Sequence, residues 1–198
     1  MTKQFEEQKF NIPNLKGISA KTIEEHLKLY AGYVKHTNLI LQKIEEFTQS
    51  GEKDTFAIGE LQRRFGFEYD GTRLHEVYFD SLSDGAASLP EESPLKKALD
   101  EEWGSFESWL TRFKSIATMR GVGWAILYYD PKGMCLLNAF VEDHQLGQLI
   151  GCVPVLALDM WEHAFVADYQ PSGKKQYMED FFLNLNWEKI ETNFTDAQ

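Results

Sequence analysis

The hydrophobic pattern of the chain changes period at Gly121, and this change most constrains the fold. Before Gly121, apolar residues recur every three or four positions, as on one face of an amphipathic helix. After it come two dense apolar runs, 122–129 and 134–141, separated by a turn sequence at 130–133 that contains Pro and Gly. That arrangement is typical of a β-hairpin. The sequence therefore predicts a helical first part followed by a part that contains strands.

The first predicted helix begins near residue 19. Residues 1–17 show no sustained periodicity and are predicted to form an extended arm. Ser19 or Thr22 can cap the helix, and residues 22–25 match a capping box. The apolar stripe that follows predicts a helix to about Thr48, and it consists of Ile23, Leu27, Tyr30, Val34, Leu41 and Ile44.

A second helical pattern follows a polar stretch at residues 50–55 and is clearest at 74–82. Beyond it, the loop at 83–94 contains glycine and proline and is the predicted domain boundary. We therefore expect an N-terminal helical hairpin domain over residues 1–88 and a second domain over residues 89–198.

The second predicted domain combines helices with strands. Pro94 and Ser105 stand where helices can begin, which predicts two helices up to about residue 119. The run at 151–158 predicts a third strand, and its Pro154 favours an edge position or a strand start. A final helix is predicted over residues 175–192. The fold class expected from these patterns is α+β.

Composition excludes several classes of function. A net charge of -11 argues against broad nucleic-acid binding, which needs a basic surface. No apolar stretch approaches the roughly 20 residues that span a bilayer, and the first residues lack the apolar segment of a signal peptide, so we expect a cytoplasmic protein that does not bind membranes. The only two cysteines, Cys135 and Cys152, predict neither a disulfide framework nor a thiolate zinc site.

Asp159 and His163 place a carboxylate and an imidazole four residues apart, directly after an apolar run. If the chain forms a helical turn there, both side chains lie on one face and can bind one metal ion. Alternatively, Asp159 caps a helix and His163 is a histidine of the core. The two residues alone leave these interpretations about equally weighted.

The remaining histidines provide further candidate ligands. Of the five in the chain, His36 stands among polar residues and looks solvated; the other four stand beside apolar or aromatic neighbours: His26, His75, His144 and His163. For any single one, a core histidine is the more frequent outcome. A site of three imidazoles and one carboxylate would suit iron, manganese or zinc.

Residues 159–165, Asp-Met-Trp-Glu-His-Ala-Phe, resemble the Asp-x-Trp-Glu-His-Ala-[Tyr/Phe] signature of the iron/manganese superoxide dismutases. The similarity extends in the expected order from about residue 18 to 190. It includes the first-helix segment 18–26, the segment 74–79, the Gly-Val-Gly-Trp sequence at 121–124, the Asp-His-Gln sequence at 143–145 and the Asn-Trp-Glu sequence at 186–188.

This resemblance implies the fold, the ligands and the activity. The fold would be a helical N-terminal part followed by an α/β part with a three-stranded antiparallel sheet. One iron or manganese ion per subunit would be bound by four residues, His26, His75, Asp159 and His163, with water or hydroxide as fifth ligand. The protein would be an antioxidant oxidoreductase that converts superoxide to dioxygen and hydrogen peroxide. The choice between iron and manganese stays open.

The resemblance also implies roles for residues around the metal. Tyr33 would be the gateway tyrosine and His144 the hydrogen-bond partner of the metal-bound solvent. Trp124 and Trp161 would form an apolar wall together with Phe79. Many relatives carry a glutamine where this chain has His144, and others carry one on the second helix, at the position that is Gly71 here.

The chain departs from the family pattern near Tyr30, which replaces a histidine near the substrate funnel. The stretch from His26 to Tyr33 is one residue shorter than usual, which predicts a local bend or bulge before Tyr33 reaches the site. Val166 replaces the tyrosine that meets that histidine across subunits, so this contact should be lost.

Glu162, which in the family bonds the ligand histidine of the other subunit, is retained. A homodimer bridged by Glu162 and His163 is therefore still expected. Near the C-terminus the family's arginine is missing, and Lys174 or Lys175 is the candidate for the charge that steers superoxide. Two other functions remain open at this point: a diverged metal-binding member with little dismutase activity, and, less favoured, a zinc hydrolase.

Overall fold

Two long helices joined by a short connection form the N-terminal part. The computed structural model describes residues 3–51 and 54–198, so part of the polar stretch at 50–55 and the first two residues of the arm lie outside the described residues. Helix α1 spans Ala20–Ser50 and helix α2 spans Thr55–Ser81. Ser19 caps α1, because its hydroxyl accepts a hydrogen bond from the backbone N–H of Thr22.

Helix α2 begins well before its clear hydrophobic pattern. Asp54 caps it by accepting hydrogen bonds from the N–H groups of Phe56 and Ala57. Phe56 is 84% exposed, whereas Leu74 and Tyr78 are buried. The pattern is visible only in the second half of the helix because that half packs against the sheet as well as against α1.

Two shorter helices follow the loop after α2, as predicted. Helix α3 spans Pro94–Trp103 and is capped by Ser93, and helix α4 spans Phe106–Ala117 and is capped by the Ser105 hydroxyl. Proline at the first position of α3 costs nothing, because that N–H has no partner within a helix.

The predicted hairpin and third strand form one antiparallel sheet. Strands β1 (Gly123–Asp130), β2 (Cys135–Glu142) and β3 (Val153–Asp159) lie in the order β2-β1-β3, so β3 is an edge strand. Leu127 pairs with Leu156 but Tyr128 pairs with Pro154, which leaves one extra residue in β3. Pro154 thus lies in an edge strand next to a bulge, where a missing N–H is tolerated.

The predicted single C-terminal helix is wrong, because the structure has two helices there. Helix α5 spans Lys174–Leu183 and helix α6 spans Trp187–Asp196. Asn186 starts the second helix: its side chain accepts from the N–H groups of Glu188 and Lys189, and its own N–H donates to the carbonyl of Ser81, 2.8 Å away. This bond to α2 and the cap end one helix and begin another.

The N-terminal arm and both predicted domains contribute to one packed molecule. Residues 3–15 form no regular secondary structure, and the N–H of Phe5 donates to Oδ1 of Asn38 at 2.8 Å. A continuous apolar core joins Tyr78 of α2 to Trp124 of the sheet and Phe181 of α5. No helix in the described part of the chain is long and apolar enough to cross a bilayer.

Candidate metal centre

Three imidazoles and one carboxylate meet where the two halves of the chain pack together. His26 comes from α1, His75 from α2, Asp159 from the end of β3 and His163 from the turn that follows it. Each offers one donor atom, and the four atoms lie within 4.8 Å of one another. Oδ2 of Asp159 is 3.1 Å from Nε2 of His26, 3.1 Å from Nε2 of His163 and 3.6 Å from Nε2 of His75.

Local hydrogen bonds hold these side chains in place. Nδ1 of His75 lies 2.6 Å from the carbonyl oxygen of Gly71, one helical turn earlier, which turns Nε2 toward the other three donors. The rings of His26 and His75 are 4.9 Å apart, and those of His26 and His163 are 5.1 Å apart. The three imidazoles therefore surround the carboxylate oxygen.

The two carboxylate oxygens of Asp159 have different surroundings. The predicted helical turn does not include this residue, because Asp159 ends β3 and the chain turns only later, beginning with a short 3₁₀ helix at Glu162–Ala164. Oδ1 of Asp159 accepts from the N–H of Trp161 at 2.8 Å and stabilises this turn, while Oδ2 faces the imidazoles. His163 reaches the cluster because the turn brings the chain back over the end of the strand.

Burial and the facing charges set the protonation states. Burial lowers the pKa of His26, although Asp159 opposes this, and burial lowers the pKa of His75 well below its ordinary value. Burial would raise the pKa of Asp159, but His163 and His26 hold it well below its usual range. For His163 burial lowers the pKa and Asp159 more than compensates. An ionised carboxylate beside two neutral imidazoles is the state that binds a cation.

A metal ion fits this donor set. Ligand atoms that each lie about 2.1 Å from one ion are roughly 3 to 4 Å from one another, as the carboxylate oxygen and the ring nitrogens are here. Nε2 of His75 is buried without a hydrogen-bond partner among the described residues, and it faces the other donors. Three nitrogens and one oxygen suit iron, manganese or zinc.

A hydrogen-bonded chain of Trp124, His144 and Tyr33 lies beside the cluster. Nε1 of Trp124 donates to Nδ1 of His144 at 2.9 Å, and Nε2 of His144 lies 2.8 Å from Oη of Tyr33. Because an indole N–H can only donate, Nδ1 of His144 carries a lone pair. Burial lowers the pKa of His144 to about 4, so the neutral ring carries its proton on Nε2 and donates it to Tyr33.

The Tyr33 hydroxyl consequently keeps its own proton for another acceptor. Burial raises the pKa of Tyr33 above its ordinary value, and the charge of Asp159 raises it further, so the phenol is neutral. Its ring centroid lies 5.0 Å from that of His75. A neutral phenol with an uncommitted proton thus stands next to the four donor atoms.

Aromatic rings enclose the cluster. Trp161 stacks on His144 at 5.0 Å and on His163 at 5.6 Å, and its Nε1 donates to the carbonyl of Asp143 at 3.1 Å. Trp124 lies 5.0 Å from His75. Phe79 lies 4.9 Å from His26. These rings cover the imidazoles, of which only His163 is partly exposed, and Tyr33 and Trp161 border a surface cavity.

The structure contains no bulge in the shortened stretch before Tyr33. Helix α1 is α-helical from Ala20 to Ser50, and Tyr33 nevertheless reaches His144. Space at Gly71 allows this, because a Cβ there would lie 2.8 Å from Cδ1 of Tyr33. The sequence identified Gly71 only as a missing glutamine, whereas its spacing of four from both Phe67 and His75 places all three residues on one helix face. Phe67 was missed, and its ring lies 4.6 Å from that of His144.

Tyr30 lies behind His75, and its hydroxyl is directed away from the donor atoms. The hydroxyl accepts from the N–H of Gln8 at 2.8 Å and lies 3.2 Å from Oε1 of Glu76. Its ring centroid is 6.4 Å from that of His75, and the residue is 2% exposed. Tyr30 therefore links the N-terminal arm to the helix that carries His75. Glu76, its buried partner, carried no signal in the sequence.

Three other residues of the predicted surroundings are Val166, Lys174 and Lys175. Val166 is 42% exposed. Nζ of Lys174 donates to the carbonyl of Met119 at 3.1 Å, and neither Lys174 nor Lys175 is among the residues that line the cavity next to Tyr33.

Known proteins provide an independent comparison. Residues 90–193 match the family model described as iron/manganese superoxide dismutases, C-terminal domain. The chain is 36% identical over 186 residues to the iron superoxide dismutase of Cupriavidus metallidurans, covering 92% of this chain and 91% of that protein. It is 32% identical over 173 residues to the manganese superoxide dismutase of Mycolicibacterium smegmatis, covering 87% and 82%. It is 33% identical over 190 residues to the iron superoxide dismutase of Aquifex pyrophilus, covering 93% and 87%.

Proposed function

The chain belongs to the iron/manganese superoxide dismutase family, and from this we propose that it converts superoxide to dioxygen and hydrogen peroxide at one iron or manganese ion per subunit. One observation carries the proposal most directly. Three imidazole nitrogens lie within 3.6 Å of Oδ2 of Asp159, next to a phenol that keeps its own proton.

The four donor residues would hold the ion through Nε2 of His26, His75 and His163 and through Oδ2 of Asp159. Iron or manganese bound there supplies one-electron redox chemistry between the +2 and +3 states, which zinc lacks. The bond from His75 to the Gly71 carbonyl and the bond from Trp161 to Asp159 keep two of the donors in position. Such supporting bonds commonly raise metal affinity tenfold or more.

Tyr33 and His144 would manage the protons that the reaction consumes. Two superoxide ions and two protons yield one dioxygen and one hydrogen peroxide, so the site must deliver protons to the reduced oxygen species. The Tyr33 hydroxyl accepts a hydrogen bond from Nε2–H of His144, so its own O–H remains free to donate. It also borders the surface cavity, from which it can be reprotonated.

Trp124, Trp161 and Phe79 would keep water away from the site. A dry, aromatic surrounding strengthens the interaction of charged ligands with an ion and limits the approach of other oxidants and reductants. Their packing on His75, His163 and His144 also fixes those rings. Tyr30 contributes from behind His75, as part of the same packed surrounding.

We further propose a homodimer in which Glu162 of one subunit bonds His163 of the other. His163 is the one member of the cluster with an exposed side chain, 21% of its surface, and Glu162 beside it is exposed. The second ring nitrogen of His163 makes no hydrogen bond within the described residues, so it can bond a partner's carboxylate. A buried bridge of this kind would tie metal binding to assembly.

The location and domain division are proposals as well. We propose a cytoplasmic antioxidant enzyme with an N-terminal helical hairpin domain over residues 1–88 and a C-terminal α/β domain over residues 89–198. The ligands come from both parts, two from each, so the site requires their joint packing.

Metal analysis and a dismutation assay on one preparation test the proposed function. We expect about one iron or manganese ion per chain, as four converging protein donors indicate, together with activity that disappears on chelation and returns with the metal. Stoichiometric iron or manganese without activity would favour a diverged metal-binding member. Zinc alone would contradict a dismutase and favour a hydrolase.

A further inference from the structure

A cavity of about 290 Å³ opens on the surface next to Tyr33. Trp161 forms part of its wall. Away from the cavity, the ring of Tyr33 contacts that of His75, and the ring of Trp161 contacts that of His163. The cavity is therefore the side from which a small ion can approach the metal within a single chain. Its other lining residues are Lys28, Leu29, Gly32, His36, Arg64, Phe67 and Glu68.

An anion that approaches this protein meets an unfavourable field, because the net charge is -11. Lys28 at the rim does little to correct it, since its Nζ lies 2.8 Å from Glu24 and 2.9 Å from Glu25. His36 lies 3.8 Å from Glu68 and is charged only when protonated. The remaining cation of the cavity is Arg64.

Arg64 is held in a fixed position at the cavity. Its Cζ lies 3.9 Å from the centroid of the Phe67 ring, and its Nε donates to Oε1 of Glu68 at 2.8 Å. The side chain of Glu68 is only 5% exposed, whereas that of Arg64 is 48% exposed. The positively charged guanidinium of Arg64 therefore faces the solvent, whereas the carboxylate of Glu68 is buried.

The outer end of the guanidinium remains available for a ligand. Only Nε is engaged by Glu68, and the two terminal nitrogens have no acceptor within the described parts of the chain. These nitrogens form the fork that binds small oxyanions. Burial raises the pKa of Tyr33, and Asp159 and Glu68 raise it further, whereas Arg64 lowers it. At the inner end of the cavity the charge of Glu68 therefore offsets that of Arg64, and the free positive charge lies at the outer end of the guanidinium.

We propose that the terminal N–H groups of Arg64 are the first anion-binding position on the path to the metal, where superoxide is held before it passes Tyr33. This inference rests on the proposed function and names a positioning residue for its substrate. Arg64 replaces Lys174 and Lys175 as the source of the steering charge in the single chain.

Azide binding to the metal-loaded protein tests this position without an activity assay. Azide is a small anion whose binding to iron or manganese changes the optical spectrum, so a titration gives its affinity. The test variant is Arg64→Gln, and Arg64→Lys keeps the charge. Arg63→Gln is the matched control, because Arg63 pairs with Glu60 away from the cavity and its loss changes the net charge equally.

At low ionic strength we expect Arg64→Gln to weaken azide binding about fivefold, as for one unit charge within a Debye length. Arg63→Gln should stay within about twofold of the unchanged protein, and Arg64→Lys should lie between it and Arg64→Gln, because lysine keeps the charge but lacks the fork. The deficit of Arg64→Gln should vanish at about 1 M salt, where charges are screened. A displaced ring or a collapsed cavity would give a deficit that persists in salt.

Three results would overturn the inference: equal azide affinity in Arg64→Gln and Arg63→Gln, a deficit that salt does not remove, or no azide binding by the unchanged protein. The dismutation rate of that same preparation is measured separately. A metal-loaded protein without dismutation would contradict the proposed function while the azide series still decides the role of Arg64.

Discussion

The phenol ring of Tyr33 lies against the backbone of Gly71. A Cβ on Gly71 would lie 2.8 Å from Cδ1 of Tyr33 and 3.1 Å from Cε1, closer than carbon atoms pack without strain. Tyr33 belongs to α1 and Gly71 to α2, so the two helices meet at this contact. The missing side chain at Gly71 allows Tyr33 to reach His144 from an unbroken helix.

Replacing Gly71 by Ala should push Tyr33 away from His144. We expect the metal to be retained and dismutation to fall about tenfold or more, because the proton donor is displaced. The free energy of unfolding should drop by about 1–3 kcal/mol from overpacking, as measured by chemical denaturation.

Gly66→Ala is the control for this substitution, since the nearest atom to its added Cβ is 4.0 Å away. It should stabilise the protein by about 0.5–1 kcal/mol through the helix propensity of alanine. Full activity in Gly71→Ala would contradict the role assigned to the contact.

Replacing Tyr33 by Phe should slow proton delivery without releasing the metal. The variant loses the hydroxyl that accepts from His144, and with it a donor next to the cluster. We expect stability to change by about 1 kcal/mol and the rate at high superoxide concentration to fall about tenfold or more. Fast kinetics on metal-loaded protein measures this, and an unchanged rate would remove Tyr33 from the proton path.

Replacing Tyr30 by Phe should weaken the attachment of the N-terminal arm. The N–H of Gln8 loses its partner, and Glu76 loses one of its two partners while keeping Arg73. We expect a loss of about 1–3 kcal/mol in the free energy of unfolding, with earlier proteolysis of the arm. Tyr129→Phe is the control, because no hydrogen bond to the Tyr129 hydroxyl exists within the described residues. Equal losses of stability in the two variants would contradict the proposed attachment of the arm through the Tyr30 hydroxyl.

Local signals in the sequence predicted most of the architecture. Serines before Pro94 and Phe106 begin helices through short-range hydrogen bonds, and the Pro-Gly turn forms the hairpin. The break between α5 and α6 was missed because it depends on the bond from Asn186 to Ser81, which lies far away in the sequence.

In the candidate site too, features with a local sequence signal were predicted and features that depend on distant residues were not. The signature around Asp159 and His163, together with the matching segments around His26 and His75, predicted the four residues that converge. The space at Gly71 and the partner of Tyr30 arise where α1, α2 and the arm meet, and Gln8 lies 22 residues from Tyr30. A contact between two distant segments produces no hydrophobic periodicity and no motif spacing in either segment, so it cannot be predicted from the local sequence.

Replacing Glu162 by Ala should weaken the proposed dimer. A carboxylate that bonds a buried partner histidine commonly contributes about 2 kcal/mol, and a two-fold dimer contains two such bonds, so we expect the dimer dissociation constant to rise about a thousandfold. Sedimentation at a series of concentrations measures it. Glu101→Ala, an exposed glutamate of α3, should leave it unchanged. An unaltered constant in Glu162→Ala would count against the bridge.

The central claim is that His26, His75, Asp159 and His163 hold the metal that performs dismutation. The most direct test is the content of iron or manganese per chain, with dismutation on the same sample, in His163→Ala beside His36→Ala. His36 has a half-exposed side chain outside the cluster. We predict that His163→Ala loses metal and activity together while His36→Ala keeps its metal. Full metal occupancy in His163→Ala would contradict the assignment.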